Sequence, residues 1–297
     1  MDSLTGIADG IEKIRRENPE KDILRICSPK GIMKQFAFVC APAWQAADKT
    51  IERGALTEFF TQTKRIYDAQ MDGLPEEKIR QYEERQDESM EYYGETEEDR
   101  KYFGYGVNEL LYIMGYTQLI AGSVGYPYAY AELTSVQKEK GHEEDAFRRM
   151  DGQSSRVFVA ETLAGISAAS ENKERAGELL QVLLGADDIG GSGFPVNRAA
   201  FEDSLFPEDF VSENTAYSGI GMTDEEGHIY DFTIYWYGSK HADTLREWMS
   251  GADTPYVRNE MLEEAVYDAG TRYMRGDMEL EEAVEQVEKR MAIYLAE

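Results

Sequence analysis

Histidine and cysteine are scarce: 297 residues hold three of the first (His142, His228, His241) and two of the second (Cys27, Cys40). The histidines lie far apart with no His-x-x-x-His pair. Catalytic zinc sites usually draw two or three histidine ligands, so the sequence argues against a zinc hydrolase. The Cys27/Cys40 spacing matches no metal or redox motif. Buried free thiols are the expected state, and a disulfide stays open only if the fold brings the two together. No apolar run approaches the roughly 20 residues that cross a bilayer. No basic, apolar leader is visible either, since Met1-Asp2-Ser3 runs straight into an amphipathic helix. Gly-x-Ser-x-Gly, the phosphate loop and the dinucleotide fingerprint are all absent. Gly190-Gly191-Ser192-Gly193 lacks the following lysine and reads as a turn. Asp224-Glu225-Glu226 lacks EF-hand spacing and reads as a solvated turn. No metal and no cofactor are expected.

Basic residues are outnumbered. Lys and Arg total 31 against 58 Asp and Glu, a formal net charge of −27. That charge repels nucleic acid and anionic lipid and excludes both as default partners. Its simplest meaning is solubility. With 42% hydrophobic and 30% charged residues, the composition is that of a globular protein able to bury a core.

Periodicity gives a helix-rich α/β chain. Ser3 caps a first helix with Leu4, Ile7, Ile11 and Ile14 on one face, ended by Asn18-Pro19. Ile23 to Ile26 reads as a short strand, Ile32 to Cys40 as a helix, and Ala55 to Tyr67 as another. The stretch near 73–100 is a charged insertion. Leu110 to Tyr116 reads as a buried strand, and Gly122 to Tyr130 as an aromatic loop whose Tyr126, Tyr128 and Tyr130 alternate onto one side of an extended chain. Val157 to Ala160 is a strand. Ser170 opens a helix whose Ala176, Leu179, Leu180, Leu183 and Leu184 are expected inward. Phe232 to Tyr237 is an aromatic strand, and Ser239 to Gly251 a helix with Trp248 in the core. Thr254-Pro255 reads as a cap with Pro in the first turn of a long helix carrying Leu262, Ala265, Val266, Ala269 and Tyr273 inward. Gly276 ends it, and a last helix bears Leu280, Val284, Val287, Met291 and Leu295.

Phe158-Val159-Ala160-Glu161-Thr162-Leu163-Ala164-Gly165-Ile166-Ser167-Ala168-Ala169-Ser170-Glu171-Asn172-Lys173-Glu174, with the Leu-rich turn Leu179 to Leu184, resembles the strand-to-helix segment of extracellular solute-binding proteins. These are the receptors of ABC importers, in the group that includes maltose-type sugar binders. Gly193 to Phe201 resembles the family's connecting segment, Gly276 to Leu295 its closing helix, and Leu4 to Pro19 its helix after the first interlobe crossing. The resemblance implies a periplasmic-binding-protein-like type II lobe, incomplete because the first lobe's opening strands are missing. It divides the chain into a second-lobe region (1–155), an interlobe strand–helix segment (156–200) and a C-terminal region of aromatic strand and helices (201–297). It also implies an extracellular receptor, lipid-anchored in its full-length form, whose partners are a small solute and the membrane permease of an importer. An apolar strip that would meet the missing lobe implies self-association. Catalysis is not implied, although a secreted carbohydrate-active enzyme and an adhesion or scaffold module remain alternatives.

Sugars are held by aromatic faces and a few convergent polar groups. Trp236 and Tyr235, at a strand end before a helix cap, are the first candidates for such contacts. Trp44 stands in a polar, alanine-rich loop, and Tyr126 and Tyr128 in the aromatic loop; core packing is the competing role for each. Where the family often presents an aromatic to the cleft, this chain has Met261-Leu262-Glu263-Glu264. Glu263 then accepts ligand hydrogen bonds or meets a cation, unless it is simply solvated.

Overall fold

The computed structural model describes residues 3–19, 23–24, 28–45, 50–77, 79–80, 109, 112–113, 115, 117–120, 123–141, 149–160, 163–185, 193–223, 227 and 229–295. They form a helix-rich mixed α/β protein with few strands. No helix among the described residues is long and apolar enough to cross a membrane.

The chain divides into two compact units, one of residues 1–122, 148–159 and 252–297, the other of residues 123–147 and 160–251. This interleaving differs from the consecutive blocks 1–155, 156–200 and 201–297 read along the sequence.

Unit one is built on helices. In α1 (Leu4–Glu17) the Ser3 hydroxyl accepts from the Gly6 N–H, the N-cap its sequence calls for. Leu4, Ile7 and Ile11 are buried and α1 packs on α3 (Arg53–Met71). Next to them are α2 (Pro29–Cys40), α8 (Glu260–Met274) and α9 (Leu280–Leu295), which together close one apolar core. Phe36, Phe59, Phe60, Val266, Val284 and Val287 are its centre. Gly270 lets α8 come close: a Cβ there would lie 2.4 Å from Met33 Sδ and 2.8 Å from Phe60 Cε1. At the far end of α3, buried Arg15 donates from Nε to Ala69 O (2.7 Å), from Nη1 to Pro19 O and from Nη2 to Gln70 O (3.1 Å each). A cation thus closes the carbonyl end of that helix. Cys40 is a buried free thiol, its pKa pushed up to about 12 by burial. Cys27 lies outside the described residues.

Unit one also holds a two-stranded parallel sheet, β1 (Val157–Val159) and β4 (Thr254–Tyr256), in the register Val157↔Thr254. The sequence placed Thr254-Pro255 at the start of the long helix. Pairing with β1 keeps that segment extended, and α8 begins only at Glu260, capped by the Asn259 side chain.

Unit two contains α4 (Pro127–Glu139), α5 (Lys173–Gly185), α6 (Arg198–Ser204), an antiparallel pair β2 (Ala216–Thr223) and β3 (Ile229–Tyr235), and α7 (Ser239–Gly251). α4 packs on β3, and Ser135 joins them by accepting from Tyr235 N at 2.9 Å while its own proton goes to Ala131 O at 2.7 Å. Two expectations fail here. Tyr126 to Tyr130 is not extended: Tyr126 is the N-cap of α4 and Pro127 its first residue, a favoured place for proline. Helical spacing therefore buries Tyr130 (1% exposed) and leaves Tyr126 outward (42%). The apolar face of α5, expected in the core, faces water; none of its residues is buried, and Leu179, Val182, Leu183 and Leu184 are exposed.

In unit one, Tyr112 and Ile113 are helical where Leu110 to Tyr116 was read as a strand. The neighbouring Leu110, Leu111, Met114 and Tyr116 lie outside the described residues, as do Arg25 and Ile26 of the first strand reading. Most of the charged insertion, Gly190 to Ser192, and Asp224 to Glu226 lie outside them too.

Candidate functional site

An aromatic cluster gathers in unit two where α4 meets the open ends of β2 and β3. Tyr126 and Tyr128 lie parallel, 2° between their planes and 6.4 Å between centroids. Tyr128 also meets Tyr217 at 6.0 Å and Trp236 at 6.3 Å, and Tyr217 stands edge-on to Trp236 at 5.0 Å. Three sequence candidates, Tyr126, Tyr128 and Trp236, are thereby brought together. Their exposure differs: Tyr126 is 42% and Tyr217 46% exposed, whereas Trp236 is 6%. Trp236 donates its indole N–H to Leu205 O at 2.7 Å, so it underlies the cluster, while Tyr126 and Tyr217 form its open face and Tyr128 is half-buried between them. Strand alternation does not separate Trp236 from Tyr237, because β3 ends at Tyr235 and both following rings turn inward.

Tyr235 stands apart from these rings. It is half-buried, and the Lys138 ammonium lies 3.9 Å from its centroid while reaching Asn214 Oδ1 at 3.4 Å. A cation already occupies that face of the ring. Behind the cluster, Tyr130 packs edge-on to Tyr237 (5.2 Å) and Trp248 (5.7 Å), and its hydroxyl lies 3.2 Å from His241 Nδ1. Burial pushes the Tyr130 phenol up to about 12 and raises that of Tyr237 further, so both stay protonated. Trp248, expected in the core, is half-buried.

The other two candidates line a pocket of about 180 Å³ in unit one, between the 3-10 turn Ala41–Ala43 and the start of α8. Trp44 contributes to its wall but is fully buried, 4.6 Å from Phe59, with its indole N–H given to Gln153 Oε1 at 3.2 Å. It is a core residue with no open face for stacking. Glu263 is not solvated; it is 5% exposed. The Tyr256 hydroxyl donates to its Oε1, and the Tyr267 hydroxyl and Arg258 Nε donate to its Oε2 at 3.3 Å each. Burial first and Glu263 second raise the phenol pKa values of Tyr256 and Tyr267, keeping both as donors.

The sequence missed Tyr217, Tyr256 and Tyr267. Tyr217 had a usable signal, since the turn before β3 implies a partner strand before it, and Tyr217 sits in that strand. Among the described residues no three of His, Cys, Asp and Glu come together as a metal site requires. Compared with protein-family models the chain has no match, and no curated protein matches it either.

Proposed function

We propose that this chain is a carbohydrate receptor of the extracellular solute-binding kind, which passes its ligand to an ABC importer's permease without altering it. The observation that carries the reading is the parallel pair of exposed Tyr126 and half-buried Tyr128, backed by Trp236 and flanked by exposed Tyr217. Pyranose rings present flat C–H faces, and aromatic platforms bind them by stacking while the sugar hydroxyls remain hydrogen-bonded. The order of segments from Phe158 to Leu295 supports the same reading and extends it to a periplasmic-binding-protein-like type II lobe, extracellular and lipid-anchored in its full-length form. The apolar side of α5 in water is the type of surface that a neighbouring lobe covers.

A thermal-shift and calorimetry panel of mono- and oligosaccharides tests it. At least one sugar raises the melting temperature, since ligand at about 100 times Kd adds roughly 2.7 kcal/mol of stability. Tyr126→Ala weakens that sugar, and prolonged incubation with an oligosaccharide leaves it intact. A panel in which nothing binds, or hydrolysis abolished by a single carboxylate substitution, rejects the reading.

A further inference from the structure

β2 is an open edge. It pairs with β3 on one side, from Ala216↔Tyr235 to Thr223↔Ile229, and among the described residues no other element hydrogen-bonds to it. Ala216 to Gly219, Gly221 and Thr223 are exposed, and Ile220 is half-buried. In an antiparallel ladder every second residue turns its N–H and C=O away from the partner strand. About half of β2 therefore offers both groups outward.

Such edges are commonly blunted by lysine or proline. β2 has neither: Ala216-Tyr217-Ser218-Gly219-Ile220-Gly221-Met222-Thr223 carries no charge and no proline. A register shift between Ala216 and Ser218 lies at its start and leaves Ser218 to Thr223 in continuous pairing. A sheet of two strands is marginal alone and gains from another strand. The far edge of β3 differs, because at Tyr235 the Ser135 hydroxyl of α4 already takes the main-chain N–H. Strand addition is open at β2 and closed there.

Charge decides what fits. At a net charge of −27, two copies of this chain repel over most of their surface, so a self-contact has to use a stretch without carboxylates. β2 is such a stretch. Recognition of a foreign strand draws its specificity from side-chain pockets beside the edge. Gly219 and Gly221 supply no walls for one, and self-pairing needs none: about a two-fold axis normal to the sheet, each copy offers the other the same donors and acceptors.

We infer that β2 is a dimerisation edge, which pairs antiparallel with β2 of a second copy to give a four-stranded sheet in the order β3, β2, β2, β3. Assembly ends at two copies because α4 holds the far side of β3. The contact is made by main chain, apart from the apolar side of α5, and it stands whatever the aromatic cluster binds.

One strand pair is a small interface, so the dimer is weak and forms in the high micromolar range. Sedimentation equilibrium on the full chain, from micromolar to millimolar, shows monomer passing to dimer. Added salt favours the dimer, since it screens the repulsion between like-charged copies. Hydrogen exchange at the two extremes shows the amides of Ala216 to Thr223 slowed at the higher one. Gly219, near the middle of the strand, has a φ outside the left-handed region, and a Cβ there comes no closer than 3.6 Å to Phe232 O, so the site takes a side chain without unfolding. Gly219→Lys and Gly219→Glu each set like charges together across the axis and weaken the dimer by about fivefold or more. An equimolar mixture of the two variants restores it. A chain that stays monomeric at millimolar concentration, or β2 amides that exchange equally fast at both, overturns the inference. A dimer that both variants leave at full strength overturns it too and moves the contact elsewhere, the exposed side of α5 first.

Discussion

Trp236 gives its indole N–H to the Leu205 carbonyl at 2.7 Å, and that bond holds the floor on which Tyr128 and Tyr217 rest. Floor and open face should respond to substitution in opposite ways. Trp236→Ala removes a buried ring and costs about 3–5 kcal/mol of stability. Tyr126→Ala changes stability by less than about 0.5 kcal/mol. It lowers sugar affinity up to about tenfold, the worth of one aromatic contact. Urea melts and calorimetry on both variants, run side by side, check the contrast; a stable Trp236→Ala protein that no longer binds would make the tryptophan itself the contact.

Arg15 is the second case. Its three nitrogens close carbonyls at the end of α3 and at Pro19, and Arg15→Met strips all three bonds while keeping most of the bulk. An unsatisfied buried polar group costs about 1–3 kcal/mol, and several are partly rehydrated once the side chain shortens, so the expected loss is roughly 2–4 kcal/mol. Denaturant unfolding measures it, and a change below about 0.5 kcal/mol contradicts the clamp.

Gly152 is held at φ +58°, and a Cβ there would lie 2.7 Å from the main-chain oxygen of Val39. Backbone cannot step aside as a flexible side chain can. Gly152→Ala combines the left-handed penalty of about 1–2 kcal/mol with that clash. A drop in melting temperature of several degrees is expected. Gly141, at φ +64° with nothing near its Cβ, serves as the control and loses less when replaced by alanine.

His241 makes unit two sensitive to acid. Burial lowers its pKa below the usual 6.5, Lys240 pushes in the same direction, Glu213 opposes, and the Tyr130 hydroxyl faces Nδ1. Between the lowered value and 6.5 the unfolded chain binds more protons than the folded one, so stability rises with pH across that window and falls on acidification below 6.5. His241→Asn flattens the fall. Melting curves from about pH 7.5 to about pH 5.5 on both proteins give the difference, and identical slopes would remove His241 as the cause.

How far the sequence could be read depended on whether a signal was local. Ser3 with Leu4, Ile7 and Ile11 specified α1, and Gly276 at φ +79° stopped the chain just after α8, because caps and stripes act within a few residues. Thr254-Pro255 was equally clear locally and was overridden by Val157, about a hundred positions away, through parallel pairing. Tyr126, Tyr128 and Tyr130 fit a period of two and also a helix begun at Pro127; only packing on β3 decides. The candidate sites divided along the same line. The grouping of Tyr126, Tyr128 and Trp236 needs α4 laid on β3, which no spacing encodes. For Trp44 the alanine-rich neighbours left a ligand contact and core packing both open, and Phe59 and Gln153 enclose it in the core. Glu263 departs from the rule that glutamates stay in water because Tyr256, seven positions before, and Tyr267, four after, both turn toward it.

α5 carries one more consequence. Periodicity said which of its sides is apolar; the fold leaves that side in water, with no residue of the 13 buried. A helix of that length with only Ala176, Gly177 and Leu180 half-buried is marginal, held mainly by its own ladder of hydrogen bonds. Its amides should therefore exchange with deuterium through local fraying, at rates set by the helix–coil equilibrium of the segment itself. The amides of α1, α3, α8 and α9 should wait for the opening of their shared core. Within one chain the protection factors would then span several decades, and the lowest helical values would mark the stretch from Lys173 to Gly185.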